Sequence, residues 1–248
     1  MTAAVLVLVA VGAWQLIVVL GVVDELILPA PTDVLISLWE DRAILGPDLA
    51  VTFGEVLLGL LAAIVAGAGL GLAMHLWTPV RRALGPLVIG SQAVPVPVIA
   101  PLFILVFGFG LAPKVLMVAL ICFFPITINL YDGLRDVDPD ARKLLATLGA
   151  GRWRVLRLLE APAALPQAFT GVKIAAAVAV IGAVFAEWAG SSRGLGHAIL
   201  TASGQLETPR AFAATLLLFL LAIAIYGAFS LLERRVVGWI PRNRPGDR

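Results

Sequence analysis

The fold of this chain is decided by residues 138–162, which read DPDARKLLATLGAGRWRVLRLLEAP. Asp138 is a favourable N-cap residue, and Pro139 suits the first helical position because no backbone N–H is needed there. Gly149 falls where a helix commonly ends in a left-handed residue, a conformation that costs free energy for any residue with a β-carbon. These signals predict a helix, a sharp reversal and a second helix, a segment that we call the elbow.

The elbow is strongly basic, because Arg152, Arg154 and Arg157 follow the reversal with Trp153 among them. It is also the longest charged stretch in an otherwise apolar chain. We therefore expect a rigid, basic pair of helices lying against a membrane, in a position where another protein could grip it.

The composition excludes an ordinary soluble domain. The chain has 248 residues, of which 60% are hydrophobic and 14% charged, and its mean hydropathy is +1.00. Soluble domains have about 45–50% apolar and about 25% charged residues. The single cysteine, Cys122, lies in an apolar run and allows no intrachain disulfide, so we interpret it as a small buried side chain.

Six apolar runs predict six transmembrane helices, since about 20 apolar residues cross the hydrocarbon core. The first run lacks the basic start of a signal peptide and is too long for one, so it is interpreted as a membrane span. The six predicted spans are 1–23, 56–80, 83–113, 115–131, 166–189 and 211–232.

The distribution of Lys and Arg predicts the orientation, because cytoplasmic loops carry an excess of both. With the N-terminus inside, the cytoplasmic side holds Arg81, Arg82, Arg135, Arg142, Lys143, Arg152, Arg154, Arg157, Arg234, Arg235, Arg242, Arg244 and Arg248. The outer side holds only Arg42, Lys114, Arg193 and Arg210. Both termini and the elbow are thus expected in the cytoplasm, and the basic pI reflects membrane topology and not nucleic-acid binding.

Two of the predicted spans have unusual composition. In the second, small residues recur every four positions at Gly59, Ala63, Gly67 and Gly71, which predicts a close helix contact either within the subunit or with a second copy. The third contains Pro86, Pro95, Pro97 and Pro101 beside Ser91 and Gln92.

Interior prolines free backbone carbonyls, which in a bilayer survive only inside protein or facing water. The third span is therefore either broken near the midplane, as in many transporters, or a kinked helix. In the first case Gln92 and Pro95 are candidates for the substrate pathway.

Glu187 is the third pathway candidate, because it lies near the end of the fifth predicted span. An ionisable group at the bilayer centre costs about 2.5–3.5 kcal/mol on insertion scales and usually faces a cavity or a partner. Glu187 either lines the pathway or caps a loop. Lys173 lies 14 residues earlier, about 21 Å along a helix, so the two cannot pair directly.

Several kinds of catalytic chemistry are not expected. The sequence has no Walker A motif, and His75 and His197 lack a cluster of further ligands, so neither a nucleotide site nor a metal site is predicted. Gly190–Gly194 fits G-x-S-x-G around Ser192, but a hydrolase needs this motif at the end of a strand. These absences leave solute transport open, including transport by an ion-coupled secondary transporter that acts without an ATPase.

The elbow resembles the cytoplasmic loop of permease subunits of binding-protein-dependent ABC importers. That family motif runs E-A-A, three residues, G, nine residues, I-x-L-P. Gly149 takes the glycine position, and Leu159, Ala161 and Pro162 take the I, L and P positions. Residues 143–145, K-L-L, depart from E-A-A.

The resemblance extends over most of the chain. LPAPTD at 28–33, PVPVIAPLFILVFGFGLAPK at 95–114 and VIGAVFAEWAGSSRGLGH at 180–197 are similar to permeases for sulfonates, taurine, nitrate and pyrimidine precursors of thiamine. TASGQLETPRAFAATLLLF at 201–219 favours the importers of heterocycles. The substrate class implied is a small polar solute of one of these kinds.

The resemblance implies an all-α, type I importer permease in the bacterial inner membrane, with 1–248 as one transmembrane domain and a coupling loop at about 132–165. It implies a second copy, a cytoplasmic ATP-binding subunit and an extracytoplasmic binding protein as partners, with ATP and Mg bound by the ATPase and no cofactor in this chain. The implied coupling residues are Asp138, Pro139, Lys143, Gly149, Ala150, Arg152, Arg154, Arg157 and Pro162.

Overall fold

The computed structural model describes residues 2–93 and 95–238, and every regular element in them is helical. We number ten helices in chain order. They are α1 Thr2–Val19, α2 Pro31–Glu40, α3 Arg42–Leu76, α4 Thr78–Gly90, α5 Val96–Phe107, α6 Leu111–Arg135, α7 Pro139–Thr147, α8 Arg152–Gly190, α9 Leu195–Gly204 and α10 Thr208–Val236. The predicted all-α class is confirmed.

In the described part of the chain, four helices are long and apolar enough to cross a membrane: α3, α6, α8 and α10. The pair α4 and α5 makes a fifth span if it is counted as one segment. The described apolar part of α1, Ala4–Val19, is shorter than the others. The structure therefore supports four or five spans, and the sixth remains a prediction.

The second predicted span differs from α3 at both ends. The helix begins at Arg42 and not at residue 56, because its polar residues Asp48, Thr52 and Glu55 are buried inside the protein. It ends at Leu76 and not at residue 80. Pro79 cannot continue it, since a proline ring clashes with the carbonyl four residues earlier, and Trp77 is accordingly extended, with φ −127° and ψ 110°.

The predicted fifth span, 166–189, is also longer in the structure. The helix α8 starts at Arg152 and passes through Pro162 and Pro166 without a break. A π-helical turn, Leu156–Glu160, lies directly before this proline-containing part. Such turns absorb local mismatch in helical hydrogen bonding, so the second arm of the elbow and the membrane span form one continuous helix.

The third predicted span is broken. A single 3-10 turn, Ser91–Ala93, follows α4, and α5 starts at Val96 after Pro95. The axes of α4 and α5 differ by 106°, which is far beyond a kink. Of the two forms that the prolines left open, a broken span and a kinked helix, the structure has the broken span.

The core is built on α6, which packs between α3 and α8. The small residues of α3 face α6 of the same chain: a β-carbon at Gly67 would lie 2.9 Å from the carbonyl oxygen of Phe123, and one at Gly71 2.8 Å from that of Thr127. These glycines therefore allow close helix packing within the subunit, which is one of the two alternatives that the spacing left open.

Candidate functional site

The elbow has the local structure predicted from its sequence. The side chain of Asp138 accepts a hydrogen bond from the backbone N–H of Asp140 at 2.9 Å, and Pro139 is the first residue of α7. Gly149 has φ +76°, in the left-handed region, and no atom lies within 4 Å of the position of a β-carbon there. The reversal depends on backbone conformation and not on crowding.

Within residues 2–93 and 95–238, no other segment covers the outer surface of the elbow. No residue of α7 is buried, and Leu144 and Leu148 are 62% and 72% exposed. Trp153, at the start of α8, is 70% exposed. Lys143 pairs with Asp140 on the same helix at 2.8 Å. A surface with exposed leucines, an exposed tryptophan and basic residues is typical of a protein-binding site.

The other predicted coupling residues lie on the same segment. Arg154 and Arg157 are exposed, whereas Ala150 and Pro162 are half-buried. Arg152 is different, because its guanidinium donates hydrogen bonds to the backbone carbonyls of Leu76 and, at 3.4 Å, of His75. Arg152 thus caps the C-terminal end of α3.

A buried contact behind the elbow was missed at the sequence level. Glu160 accepts a hydrogen bond from Nε of Arg142 at 2.7 Å and contacts Nε2 of His75 at 2.8 Å. One signal was available: Glu160 is the only carboxylate between Asp140 and Glu187. The side chain of His75 is 13% exposed and is paired with Glu160.

A second polar cluster surrounds Glu187, which is 1% exposed. One carboxylate oxygen accepts a hydrogen bond from the hydroxyl of Thr52 at 2.7 Å. The other accepts the backbone N–H groups of Gly196 and His197 at 2.5 and 3.3 Å. These N–H groups belong to the first turn of α9, so Glu187 binds the N-terminal end of that helix, where a carboxylate is favoured.

Lys114 joins the same region from α6. Its ammonium donates to Oε1 of Glu55 and to the hydroxyl of Ser191, both at 2.6 Å. Charge counting placed Lys114 in an outer loop, but it lies in the first turns of α6 with 9% of its surface exposed. Such a buried ion pair is expected to be costly to break.

The three pathway candidates do not lie together. Gln92 and Pro95 are exposed at the break between α4 and α5. A cavity of about 50 Å³ beside the break is lined by Ser91, Gln92, Val96, Ile99, Met117, Leu120 and Ile121. Glu187 is not part of that lining, and its partners belong to α3 and α9.

The remaining sequence motifs show no catalytic arrangement. The segment around Ser192 follows the long helix α8, and no strand occurs in the part of the chain that the structure describes. His197 contacts Thr201, Nε2 to Oγ1 3.4 Å. Among the described side chains, no group of three His, Cys, Asp or Glu residues could hold a metal ion.

Comparison with known proteins gives a consistent result. Residues 49–238 match the family described as binding-protein-dependent transport system inner membrane component. A probable ABC transporter permease protein of Haemophilus influenzae is 37% identical over 224 residues, covering 90% of this chain and 91% of the relative. The formylaminopyrimidine transport permease protein ThiX of Halalkalibacterium halodurans is 36% identical, covering 86% of both chains.

The fold also matches a solved structure. A chain of the MetNI methionine ABC transporter superimposes with a TM-score of 0.70 at 17% sequence identity, covering 79% of this chain and 97% of the other. At this identity the match establishes the shared fold, and the family rests on the sequence matches.

Proposed function

This chain belongs to the family of binding-protein-dependent transport system inner membrane components, and we propose on that basis that its elbow is the surface on which the importer's ATPase acts. Members of this family are transmembrane subunits of ABC importers, and ATP is hydrolysed in a separate subunit. The importer also works with a substrate-binding protein. The family therefore favours this function over an ion-coupled secondary transporter or a hydrolase.

The observation that carries the proposal is the unpartnered surface of α7. No residue of α7 is buried, and the exposed side chains of Leu144 and Leu148 are covered by no other described part of the chain. Exposed apolar side chains beside basic ones suit the groove of a partner protein. The ATPase is the partner that a transport subunit without a nucleotide site requires.

Each predicted coupling residue then has a physical role. Asp138 and Pro139 set the start of α7, and Gly149 with Ala150 forms the reversal. Lys143, Arg154 and Arg157 add positive charge to the docking surface, whereas Arg152 and Pro162 belong to the arm that continues into the membrane. Together they form the functional centre of a coupling loop at about 132–165.

We propose that two copies of the chain form the pore and that the elbow and both termini lie in the cytoplasm of a bacterial cell. Leu105 and Val106 on α5 are 80% and 74% exposed, which suits packing against lipid or against a helix of the second copy. The proposed orientation in the membrane is supported by the basic residues of the elbow, together with Arg81, Arg82, Arg234 and Arg235. Arg242, Arg244 and Arg248, which contributed to the charge count, lie outside the described residues.

The proposed substrate is a small polar solute, with a pyrimidine-type precursor favoured over a sulfonate, taurine or nitrate. Support comes from the 36% identity to the formylaminopyrimidine permease over 86% of the chain. Binding of ATP would switch the pore between inward- and outward-facing forms. Gln92 and Pro95, at the break in the third span, and Glu187 remain the proposed pathway residues. Uptake of labelled formylaminopyrimidine and taurine by vesicles containing the complete importer would separate the substrate classes.

The coupling proposal is tested by Gly149→Val with co-purification of the ATPase. A β-branched residue at φ +76° is strongly disfavoured, so α7 and α8 would lose their relative angle and the ATPase would no longer co-purify. Gly151→Val is the matched control, because Gly151 is two residues away in an extended conformation, φ −69° and ψ 166°, with open space around it. Equal loss of the ATPase in both variants, or retention in Gly149→Val, would contradict the proposal.

A further inference from the structure

The contact between Arg142 and Glu160 connects the exposed helix α7 to the membrane spans. No residue of α7 is fully buried, and only Ala141, Arg142 and Leu145 are partly buried, so apolar packing alone anchors this helix weakly. Its N-terminal cap acts within the helix itself. Arg142 is the residue of α7 whose side chain reaches the spans, with 30% of that side chain exposed.

Arg142 makes two kinds of contact behind α7. Its Nε–H donates to Oε1 of Glu160 at 2.7 Å, and Nη2 donates to the backbone carbonyl of Leu134 at 2.7 Å and of Arg135 at 3.4 Å. The two carbonyls are at the C-terminal end of α6, where a cation is favoured. One side chain of α7 therefore binds both α6 and α8.

Glu160 extends the connection to a third span. Its other carboxylate oxygen lies 2.8 Å from Nε2 of His75, in the last turn of α3. The side chain of Glu160 is only 10% exposed. Hydrogen bonds to charged groups are shorter and stronger than neutral ones, and they gain strength when water is excluded. A single carboxylate thus joins α3, α7 and α8.

An irregular helical turn and a buried apolar cluster surround this contact. Glu160 is the last residue of the π-helical turn Leu156–Glu160, a type of irregularity that frequently accompanies functional sites. Beneath it, Leu76, Leu134 and Leu156 are packed in one buried apolar cluster with Ala164. These residues come from α3, α6 and α8, so the ends of the three spans pack against one another at this level.

We propose that Glu160, with Arg142 and His75, is the positioning site that transmits displacement of α7 to the membrane spans. This inference rests on the proposed function of the elbow as the ATPase-binding surface. It assigns transmission to a buried acidic residue outside the reversal, whereas docking depends on the exposed face of α7. Without the contacts of Glu160 to Arg142 and His75, the ATPase would displace α7 without displacing the membrane spans.

The test uses the complex of this chain with its ATPase in lipid nanodiscs and follows amide hydrogen exchange. Glu160→Gln keeps the size of the side chain and removes its charge. We expect amide exchange in α7 to become about tenfold faster. A hydrogen bond to a charged group stabilises the closed state of a helix, so its loss makes local opening more frequent by about this factor. Arg142→Gln should accelerate exchange in α7 at least as much, because it also removes the hydrogen bonds to the carbonyls of Leu134 and Arg135. The double variant should resemble Arg142→Gln, since both changes act on the same Arg142–Glu160 contact.

The second readout is the response of the outer connection, residues 191–207, to ATP trapped with vanadate. In the native complex, trapping should change exchange both in α7 and in 191–207. In Glu160→Gln and in Arg142→Gln the outer response should be lost while ATP hydrolysis persists. Glu233→Gln is the matched control, because Glu233 forms a 2.7 Å pair with Lys173 that is also mostly buried but lies away from the elbow.

The outcomes separate the two proposals. If trapping leaves exchange in α7 of the native complex unchanged, the docking function of the elbow is wrong. If the native complex responds and both variants keep the outer response, the transmitting role of Glu160 is wrong. Loss of ATP hydrolysis in both variants, or an equal effect of Glu233→Gln, would also overturn that role, because a joint between helices leaves the ATPase's own site intact.

Discussion

Glu187 and Gly196 are joined across the start of α9: Oε2 of the carboxylate accepts the backbone N–H of Gly196 at 2.5 Å. Thr52 donates to the other oxygen at 2.7 Å. The hydroxyl of Thr52 in turn accepts the backbone N–H of Leu195 at 2.8 Å. The end of α8 is therefore tied both to α3 and to the short helix of the outer connection.

Replacing Glu187 with Gln should loosen that outer connection. The amide keeps one acceptor oxygen, so either Thr52 or the N–H groups of α9 lose their partner, at a cost of about 1–3 kcal/mol of unfolding free energy. Thermal unfolding in nanodiscs and the rate of tryptic cleavage after Arg193 measure the effect. Gln substitution at the exposed Glu40 is the control for a lost charge, and unchanged stability and cleavage in Glu187→Gln would refute the capping role.

Alanine substitution should destabilise the protein by very different amounts at Gly194 and at Gly149. Both have positive φ, +114° and +76°. A β-carbon at Gly194 would also collide with the carboxylate of Glu187, whereas the space at Gly149 is open. Gly149→Ala should therefore cost about 1 kcal/mol of stability, and Gly194→Ala several times as much. Equal melting temperatures for the two variants would contradict the packing of Glu187 against Gly194.

Removing Lys114 should destabilise the protein strongly. Lys114→Met leaves Glu55 buried and unpaired, and breaking a buried pair from one side costs about 3–5 kcal/mol. The double variant Lys114→Met with Glu55→Met should recover most of the loss, since apolar replacement of both partners is often neutral. Melting temperatures of the single and double variants decide this, and a double variant less stable than Lys114→Met alone would exclude the pairing.

The elbow could be predicted from the sequence because its signals are local. A cap at Asp138, a proline at the first helical position and a glycine eleven positions after the cap each act on neighbouring backbone atoms, and the observed helix ends within one residue of the expected place. The prolines of the third span predicted an interruption for the same reason, although they did not decide between a break and a kink. Local backbone chemistry needs no knowledge of the tertiary fold.

The buried polar contacts could not be predicted in this way. Lys114 and Glu55 are 59 positions apart, and Thr52 and Glu187 are 135 apart. Hydropathy along the chain records how many charged residues a segment has, but not whether their side chains face the protein interior or the surroundings. That is why the start of α3, with its inward-facing carboxylates, was predicted to be a connection and not part of a span.

Asp41, between α2 and α3, should give a pH-dependent contribution to stability. Burial alone would raise the pKa of its carboxyl, but hydrogen bonds from Arg210 and Ser37 outweigh burial and lower the pKa. Since the folded pKa lies below the unfolded value, the stabilisation is complete above about pH 4 and is lost as the pH falls through the folded pKa. Asp41→Asn should thus be less stable than the native chain at pH 7, with the difference shrinking as the pH falls.

Melting temperatures of the two chains between pH 3 and pH 7 measure that difference. Glu40→Gln, at an exposed position on α2, controls for the loss of a carboxylate in the same region. A constant difference over the whole range would mean that the Arg210 and Ser37 contacts do not stabilise the ionised form.

The most direct test of the elbow as the ATPase-binding surface is photo-crosslinking in intact cells. A photoreactive amino acid is placed at Leu148, on the exposed end of the elbow helix, and in a second strain at Leu206, in the outer connection. The account predicts that position 148 crosslinks to the ATP-binding subunit and position 206 does not. Crosslinks from position 148 to lipid or to the extracytoplasmic binding protein, with none to the ATPase, would contradict it.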